Sequence, residues 1–260
     1  MDLQTVKRPI GVFDSGVGGI SVLKEAVKLL PNEDFIFFGD SKNAPYGVKS
    51  VEQVYQLSKK IVTDFIVQDA KAIVIACNTA TSAAAKRLRS EHPEIPIIGL
   101  EPALKPAVLA KENSHVLVMA TPLTLKEQKF ADLMKRFESQ AKISKLPAPD
   151  LVEYVEKGEV ASPKLKKYLR SILAPYIGQI DSLVLGCTHF PFAAPAIAEI
   201  VGPEVTLYDG GEGAARELRH LLVKNQLRRT DKRQGKVTFK NSINTEAELN
   251  LCRTLFSLYF

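Results

Sequence analysis

Short apolar runs of strand length alternate along the chain with stretches of helical periodicity. The apolar runs cover 10–13, 34–38, 72–76, 95–100, 116–120, 183–186, 205–208 and 236–240. Helices are predicted over 20–30, 51–68, 81–90, 125–137, 151–158, 163–177 and 192–201, then from the turn at 209–213 through Leu222, and finally up to Phe260. Strands that alternate with helices in this way pair in parallel, so the pattern predicts an α/β fold with doubly wound sheets.

Two of the apolar runs end in the same arrangement of residues. AIVIACNT at 72–79 and SLVLGCTH at 182–189 each place a small residue and a cysteine after the strand, followed by polar groups. Nearly the same offset separates Asp14 from Thr121 as separates Cys77 from Cys187, which indicates an internal duplication. We therefore expect two similar α/β domains with parallel sheets that face each other across a cleft. The expected domains are residues 1–100 with 208–260, and residues 101–207.

The two matched cysteines are the candidate reactive groups. A cysteine directly before a helix N-terminus is favoured as a thiolate, because the helix dipole and free N–H groups lower the thiol pKa from about 8.5. Cys77 is followed by capping residues, and Cys187 is followed by Thr188 and His189. A lone buried cysteine is usually structural, and this interpretation is kept for Cys252 in an apolar helical stretch.

Two thiols on opposite faces of one small substrate could transfer protons at a carbon centre. A thiolate would remove the α-hydrogen from one face and a thiol would return a proton to the other, which inverts the centre. A disulfide redox pair is disfavoured because such cysteines are usually spaced C-x-x-C. A metal site on Cys77, Cys187 and His189 lacks a second close ligand pair. A covalent Cys-His nucleophile, as in a thiol hydrolase, is left open by the spacing.

Two loops that follow the first strands are candidates for binding an anionic substrate. The turn from Asp14 to Gly19 opens a helix, and its glycines let backbone N–H groups approach a ligand. Its glycine spacing does not match a dinucleotide fingerprint, so we interpret it as a carboxylate cradle, with a purely structural turn as the alternative. The polar loop 39–47 follows the next strand, at the edge where parallel sheets bind ligands.

The composition indicates the cellular compartment and the expected partners of the protein but does not indicate its function. The chain has 260 residues, three cysteines and a formal charge of +6. Free thiols, the lack of an apolar run of bilayer length and the lack of a signal-peptide pattern predict a cytoplasmic protein with no membrane partner. Basic residues cluster at 224–236 without interleaved aromatics, so we expect a solvated surface there and no nucleic-acid partner.

Six short motifs are together similar to those of bacterial glutamate racemases, members of the cofactor-independent aspartate/glutamate racemase superfamily. They are GVFDSGVGG at 11–19, PYG at 45–47, ACNTA at 76–80, GLEPA at 99–103, LGCTHFP at 185–191 and DGG at 209–211. Each motif alone is weak and the combination is specific, whereas the chain beyond Leu222 is poorly matched. The resemblance implies interconversion of L- and D-glutamate by two thiols, with no cofactor and no metal, and a product that enters peptidoglycan.

The resemblance also implies roles for individual residues of this chain. Cys77 and Cys187 would be the two proton donors and acceptors. Asp14, His189 and Glu156 would assist them, with Glu153 as the alternative to Glu156 and Asp40 as a candidate further helper. The implied substrate-binding positions are Asp14, Ser15, Tyr46, Gly47, Asn78, Thr79, Thr121, Thr188 and His189.

Two other functions stay open at this point. One is a racemase or isomerase of aspartate or a related acid, although the PYG and DSG motifs favour glutamate. The other is a non-catalytic binding protein of the same fold, although intact cysteines in both halves argue against it. The expected partner is the small-molecule substrate, and the expected assembly is a homodimer.

Overall fold

The structure, a computed structural model, describes residues 3–126 and 128–258. The chain forms two compact units. The first unit contains the chain up to Glu101 together with Gly211–Ser257, and the second contains Pro102–Gly210. The first unit is therefore completed by the C-terminal part of the chain, which follows the second unit in the sequence.

The secondary structure alternates between strands and helices. The strands are β1 (Ile10–Asp14), β2 (Phe35–Gly39), β3 (Ala72–Ile75), β4 (Ile97–Gly99), β5 (His115–Ala120), β6 (Lys142–Pro147), β7 (Ser182–Leu185), β8 (Thr206–Asp209) and β9 (Val237–Asn241). The helices are α1 (Leu3–Lys7), α2 (Ile20–Leu29), α3 (Val51–Val67), α4 (Asn78–Glu91), α5 (Leu104–Leu109), α6 (Pro122–Lys126), α7 (Gln128–Lys135), α8 (Asp150–Glu156), α9 (Pro163–Leu173), α10 (Ala194–Val201), α11 (Gly211–Lys224) and α12 (Glu246–Ser257). Short 3₁₀ turns lie at Ser41–Asn43, Tyr46–Val48, Ala174–Tyr176 and Phe190–Ala193.

Each unit is built on a parallel sheet. In the described residues, the strand order is β4-β3-β1-β2-β9 in the first unit and β6-β5-β7-β8 in the second. The strands β5 to β8 take the same places, in the same order, as β1 to β4, and β9 is an additional edge strand of the first sheet. All neighbouring strands run parallel. The predicted fold class, two similar α/β domains with parallel sheets, is confirmed.

The central strands are apolar because both faces of each sheet are covered. Every residue of β1, β3 and β7 is buried, as expected for parallel strands between two layers of helices. The helices that cover them are amphipathic, and α3 begins as predicted after Ser50. The Ser50 hydroxyl accepts from Gln53 N–H at 3.2 Å while the Gln53 side chain accepts from Ser50 N–H at 2.9 Å, which forms a capping box.

Several element boundaries differ from the prediction. The strand β6 and the helix α5 were not expected, because half of the residues of β6 are polar and half are exposed, and because α5 is short. The helix expected over 125–137 begins earlier, at Pro122, and is described as α6 and α7. The final helix α12 is described to Ser257, and its expected end at Phe260 lies outside the described residues. Among the described residues, no helix has both the length and the apolar character needed to span a bilayer.

Candidate active site

Cys77 lies where β3 ends and α4 begins. It is the N-cap of α4, in an extended conformation, and its Sγ accepts from Ala80 N–H at 3.4 Å. The preceding residue anchors this turn to the neighbouring strand, because Ala76 N–H donates to Phe13 O at 2.7 Å. The helix begins three residues earlier than predicted, at Asn78, so the thiol interacts directly with the first turn of the helix. This position favours a thiolate.

Asp14 and Ser15 lie beside this thiol, at the end of β1. The Asp14 carboxylate is fully buried and accepts from Gly19 N–H at 2.7 Å. Ser15 Oγ is 3.5 Å from Asp14 Oδ1 and 3.6 Å from Cys77 Sγ, so the hydroxyl bridges the carboxylate and the thiol. A Cβ on Gly19 would lie 2.5 Å from Asp14 Cβ, so only glycine fits where the chain turns over the carboxylate.

Tyr46 forms a second buried polar group near the thiol. Its hydroxyl donates to Asp40 Oδ2 at 2.6 Å, and Asn43 Nδ2 donates to the same carboxylate at 3.0 and 3.1 Å. Burial raises the pKa of Tyr46 well above its usual value, and the hydrogen bond to Asp40 and the charges of Asp40, Cys77 and Asp14 raise it further. Tyr46 therefore stays a neutral phenol. Gly47 follows it in the same 3₁₀ turn.

The first turn of α4 supplies two further buried polar side chains, Asn78 and Thr79. Asn78 Oδ1 is buried and has no hydrogen-bond partner within the described part of the chain. Because buried polar atoms are almost always paired, this oxygen is suited to accept a hydrogen bond from a ligand.

Cys187 lies at the equivalent position in the second unit, after β7. Its Sγ is 3.6 Å from His189 Nδ1, and His189 Nε2 is 2.6 Å from Glu156 Oε1. Gly186 holds the turn against β5, because a Cβ there would lie 2.9 Å from Ala120 Cβ and 3.0 Å from Met119 O. Thiol, imidazole and carboxylate thus form a hydrogen-bonded series in which each group contacts the next.

The neighbouring residues Cys187 and Glu156 keep His189 protonated. Burial by itself lowers the pKa of this imidazole, but the hydrogen bonds to Cys187 and Glu156 and the charges of these two residues outweigh burial and raise the pKa well above its usual value. The structure therefore places a buried imidazolium 3.6 Å from the sulfur of Cys187.

The geometry separates the two glutamates that the sequence left as alternatives. Glu156 contacts His189 and its side chain is 21% exposed, whereas Glu153 is 74% exposed and pairs with Lys157 at 3.4 Å. Thr188 is buried next to Cys187. Thr121 lies between β5 and α6, where its hydroxyl is 3.0 Å from Thr124 Oγ1.

The two cysteines differ in their distance from the next helix, because α4 begins directly after Cys77 whereas the helix predicted from residue 192 begins at Ala194. The 3₁₀ turn Phe190–Ala193 lies between Cys187 and α10, because α10 begins only at Ala194. His189 therefore takes the place that the helix N-terminus has beside Cys77. Each unit supports its thiol by a different physical means.

Two residues that support the candidate site were missed at the sequence level. Asn43 binds the Asp40 carboxylate and Thr124 binds the Thr121 hydroxyl. Both lie three residues after a short polar side chain at a strand end, a spacing typical of turns and caps, and that spacing could have identified them. In the described parts of the chain, no group of three or more His, Cys, Asp or Glu residues is arranged to hold a metal ion.

Comparison with known families gives one match that covers most of the chain. The family described as Asp/Glu/Hydantoin racemase matches residues 10–218. Among curated relatives, a protein named glutamate racemase from Clostridium novyi (strain NT) is 49% identical over 248 residues, which cover 95% of this chain and 96% of the relative.

Solved structures give the same family. The glutamate racemase of Francisella tularensis subsp. tularensis SCHU S4, crystallised in complex with D-glutamate, matches with a TM-score of 0.82 and 30% identity, and covers 98% of this chain and 96% of its own. The Escherichia coli glutamate racemase, in complex with L-glutamate and the activator UDP-MurNAc-ala, matches with a TM-score of 0.84 and 31% identity, and covers 95% of this chain and 94% of its own.

Proposed function

Because the chain belongs to the Asp/Glu/Hydantoin racemase family, we propose that it interconverts L-glutamate and D-glutamate by proton transfer between two thiols and Cα. The observation that carries the proposal is the matched placement of Cys77 and Cys187 after β3 and β7, which are equivalent strands of the two sheets. Each thiol has its own polar partner, the first turn of α4 at Cys77 and the imidazole of His189 at Cys187.

In one direction, the Cys77 thiolate takes the proton from Cα. The electron pair of the broken C–H bond stays on the substrate as a carbanion, and the Cys187 thiol delivers a proton to the opposite face. The reaction leaves Cys77 as a thiol and Cys187 as a thiolate, and the reverse reaction exchanges these roles. A well-placed acid or base of this kind accelerates a reaction by about 10²–10⁴-fold.

The neighbouring groups suit an amino acid with two carboxylates. The Asn78 oxygen is a buried acceptor for the substrate ammonium group. The hydroxyls of Ser15, Thr79, Thr121 and Thr188 and the N–H groups of the adjoining turns can donate to carboxylates. Asp14 and Glu156 would assist Cys77 and Cys187 respectively, Glu156 through His189.

The prediction that the chain is an enzyme of the glutamate racemase type is confirmed by relatives that match nearly its whole length. Three finer points are part of the proposal. The D-glutamate formed is used in peptidoglycan synthesis, the enzyme acts in the cytoplasm, and it assembles as a homodimer. Light scattering of the purified protein tests the last point, because a monomer mass would contradict it.

The decisive experiment follows the circular dichroism of D-glutamate with the purified protein in D₂O, with reducing agent and no added cofactor. We expect the signal to decay to zero while deuterium enters at Cα. Cys77→Ala and Cys187→Ala should each lower the rate by about 10²–10⁴-fold, whereas the matched control Cys252→Ala, in α12, should keep it.

Each other outcome has a clear meaning. Full activity in either Cys77→Ala or Cys187→Ala would contradict the two-thiol mechanism. Decay with D-aspartate but not with D-glutamate would keep the mechanism and change the substrate. A flat signal for both amino acids would refute the proposed function.

A further inference from the structure

Asp14, in the part of the candidate site that the first unit supplies, is aligned across the sheet with a residue of the edge strand β9. The parallel register aligns Asp14 of β1 with Gly39 of β2, and aligns Gly39 with Asn241 of β9. Gly39 is closely packed between its neighbours, since a Cβ there would lie 2.8 Å from Gly16 O and 3.1 Å from Asn241 Nδ2. Asn241 therefore belongs to the same packed layer as the turn that holds Asp14.

The end of β9 also holds the start of the loop that follows β2. Ser242 N–H donates to Gly39 O at 2.9 Å. The Ser242 hydroxyl accepts from Lys42 N–H at 2.9 Å, and Asn241 Nδ2 donates to Ser41 Oγ at 2.9 Å. The chain is thus held on both sides of residue 40 by residues about two hundred positions further along the sequence.

Asn241 has the chemistry that this place requires. The side chain is buried, with 4% of its surface exposed. Its Nδ2 donates to Ser41 and lies 3.4 Å from Glu248 Oε2, while its Oδ1 accepts from Ile243 N–H at 2.9 Å. An amide offers donors and an acceptor at once, and no aliphatic residue could replace both functions.

The loop held in this way carries Asp40, and Asp40 fixes Tyr46. The Asp40 N–H donates to Asp14 O at 3.0 Å, and the Asp40 carboxylate accepts from the Tyr46 hydroxyl at 2.6 Å. A small displacement of residues 41–42 would move this carboxylate and release the phenol. The hydrogen bonds from β9 therefore reach the candidate substrate site through a short and continuous series of contacts.

We propose that Asn241 and Ser242, at the end of the C-terminal strand β9, are positioning residues for the Asp40–Tyr46 side of the substrate site. They touch no reacting atom and act through the loop that they hold. This inference rests on the proposed function for its kinetic consequence, but the position of Tyr46 can be measured independently of activity. Under this proposal, the C-terminal strand β9 contributes to substrate binding.

The test compares Asn241→Ala and Ser242→Ala with the parent enzyme in steady-state glutamate racemisation. If Tyr46 binds the substrate as the resemblance implies, loss of its positioning should raise KM by about tenfold, the equivalent of one hydrogen bond, and change kcat much less. Ser242→Thr keeps the hydroxyl and should restore the KM. Lys240→Ala is the matched control, because Lys240 lies on the same strand but bonds to Gln68, the residue that follows α3.

A second measurement does not depend on turnover. Protein labelled with ¹³C at the ζ-carbon of tyrosine gives an NMR resonance for Tyr46, which Tyr46→Phe identifies. We expect Asn241→Ala and Ser242→Ala to shift this resonance, and expect Ser242→Thr and Lys240→Ala to leave it unchanged. If Asn241→Ala does not fold, the pair Ser242→Ala and Ser242→Thr decides alone.

An unchanged Tyr46 resonance together with an unchanged KM in the folded variants would overturn the inference. If the parent protein does not racemise glutamate, the proposed function fails, and the resonance alone decides whether β9 positions Tyr46.

Discussion

His189 is the residue whose charge depends most on its neighbours. It is buried between Cys187 and Glu156, and its pKa is raised because the hydrogen bonds and charges of these two residues outweigh the effect of burial. A raised pKa means that the stabilising contribution is fully present below the unfolded value of about 6.5 and is lost as the pH rises through the folded value. The imidazolium of His189 is therefore the form present at neutral pH. At alkaline pH His189 loses its proton, and the stabilising contribution of its charge is lost.

The variant Glu156→Gln tests this balance at the residue scale. Removing the carboxylate charge should lower the pKa of His189, so the alkaline loss of activity should begin at a lower pH. We expect kcat/KM to fall on the order of 10²-fold, because the imidazole beside Cys187 loses the carboxylate that orients it and holds its charge. The pH profile of kcat/KM measures both effects. Glu153→Gln, three residues earlier in α8, is the control and should keep the parent profile, and a parent-like profile in Glu156→Gln would contradict the role of Glu156.

At the scale of the elements, Thr81 determines where the helix that carries Cys77 lies. Its buried hydroxyl donates to Ile75 O at 3.2 Å and accepts from Leu100 N–H at 2.9 Å, which ties α4 to the ends of β3 and β4. A Cβ on Gly99 would lie 2.5 Å from Thr81 Cγ2, so the contact leaves no spare room. Through these two hydrogen bonds, the Thr81 side chain holds the N-terminal part of α4, which begins beside Cys77, against the ends of β3 and β4.

Thr81→Val keeps the shape of the side chain and removes both hydrogen bonds. We expect it to lower the free energy of unfolding by about 1–3 kcal/mol, since a buried N–H and a buried carbonyl lose their partner. Urea denaturation measures this change. Thr63→Val is the control, because Thr63 is exposed on α3 and bonds to its own helix at 2.9 Å, and it should change stability by less than about 0.5 kcal/mol. Equal effects of the two substitutions would contradict the special role of Thr81.

The elements also show how far the sequence could predict the site. The sequence indicates Cys77, Cys187 and Asp14 as candidates because each comes at the end of an apolar run, and parallel strands bring such positions to one edge of a sheet. The choice between Glu153 and Glu156 needed the structure, because both lie in α8 and only packing decides which acid turns toward His189. The strand β6 was missed because its polar, partly exposed residues lack the apolar signal of β1 and β3. Asn241 lies beyond Leu222, where the chain poorly matches the racemase motifs, and only the strand register shows that it is aligned with Gly39 and Asp14.

At the scale of the whole molecule, the basic stretch 224–236 closes the first unit. Arg229 and Arg233 pair with Asp34, and Arg229 N–H donates to Glu33 Oε1 at 2.8 Å. Gly235 passes so close to the chain that a Cβ there would lie 1.8 Å from Glu33 O. Part of the basic charge is therefore paired within the chain, in the segment that leads from α11 to β9.

A buried ion pair lies next to the segment that leads from α11 to β9. Lys71 Nζ is 2.5 Å from Glu33 Oε2, and the two side chains are 0% and 2% exposed. Burial lowers the pKa of Lys71, and the neighbouring Glu33 opposes this effect. The same glutamate thus binds a lysine before β3 and the backbone of the segment that leads to β9, so one carboxylate connects distant parts of the chain.

Glu33→Gln should therefore be far more costly than the loss of a surface ion pair. It leaves the Lys71 ammonium buried without a compensating charge, and we expect the free energy of unfolding to fall by about 3–5 kcal/mol. Lys71→Met leaves a buried carboxylate and should cost a similar amount, whereas the double variant should cost clearly less than the sum, since no unpaired charge remains. Glu212→Gln breaks an exposed pair with Arg216 and should cost less than about 1 kcal/mol. Urea denaturation of the parent, the two single variants and the double variant completes the cycle, with Glu212→Gln as the surface control, and strict additivity would show that Glu33 and Lys71 act independently.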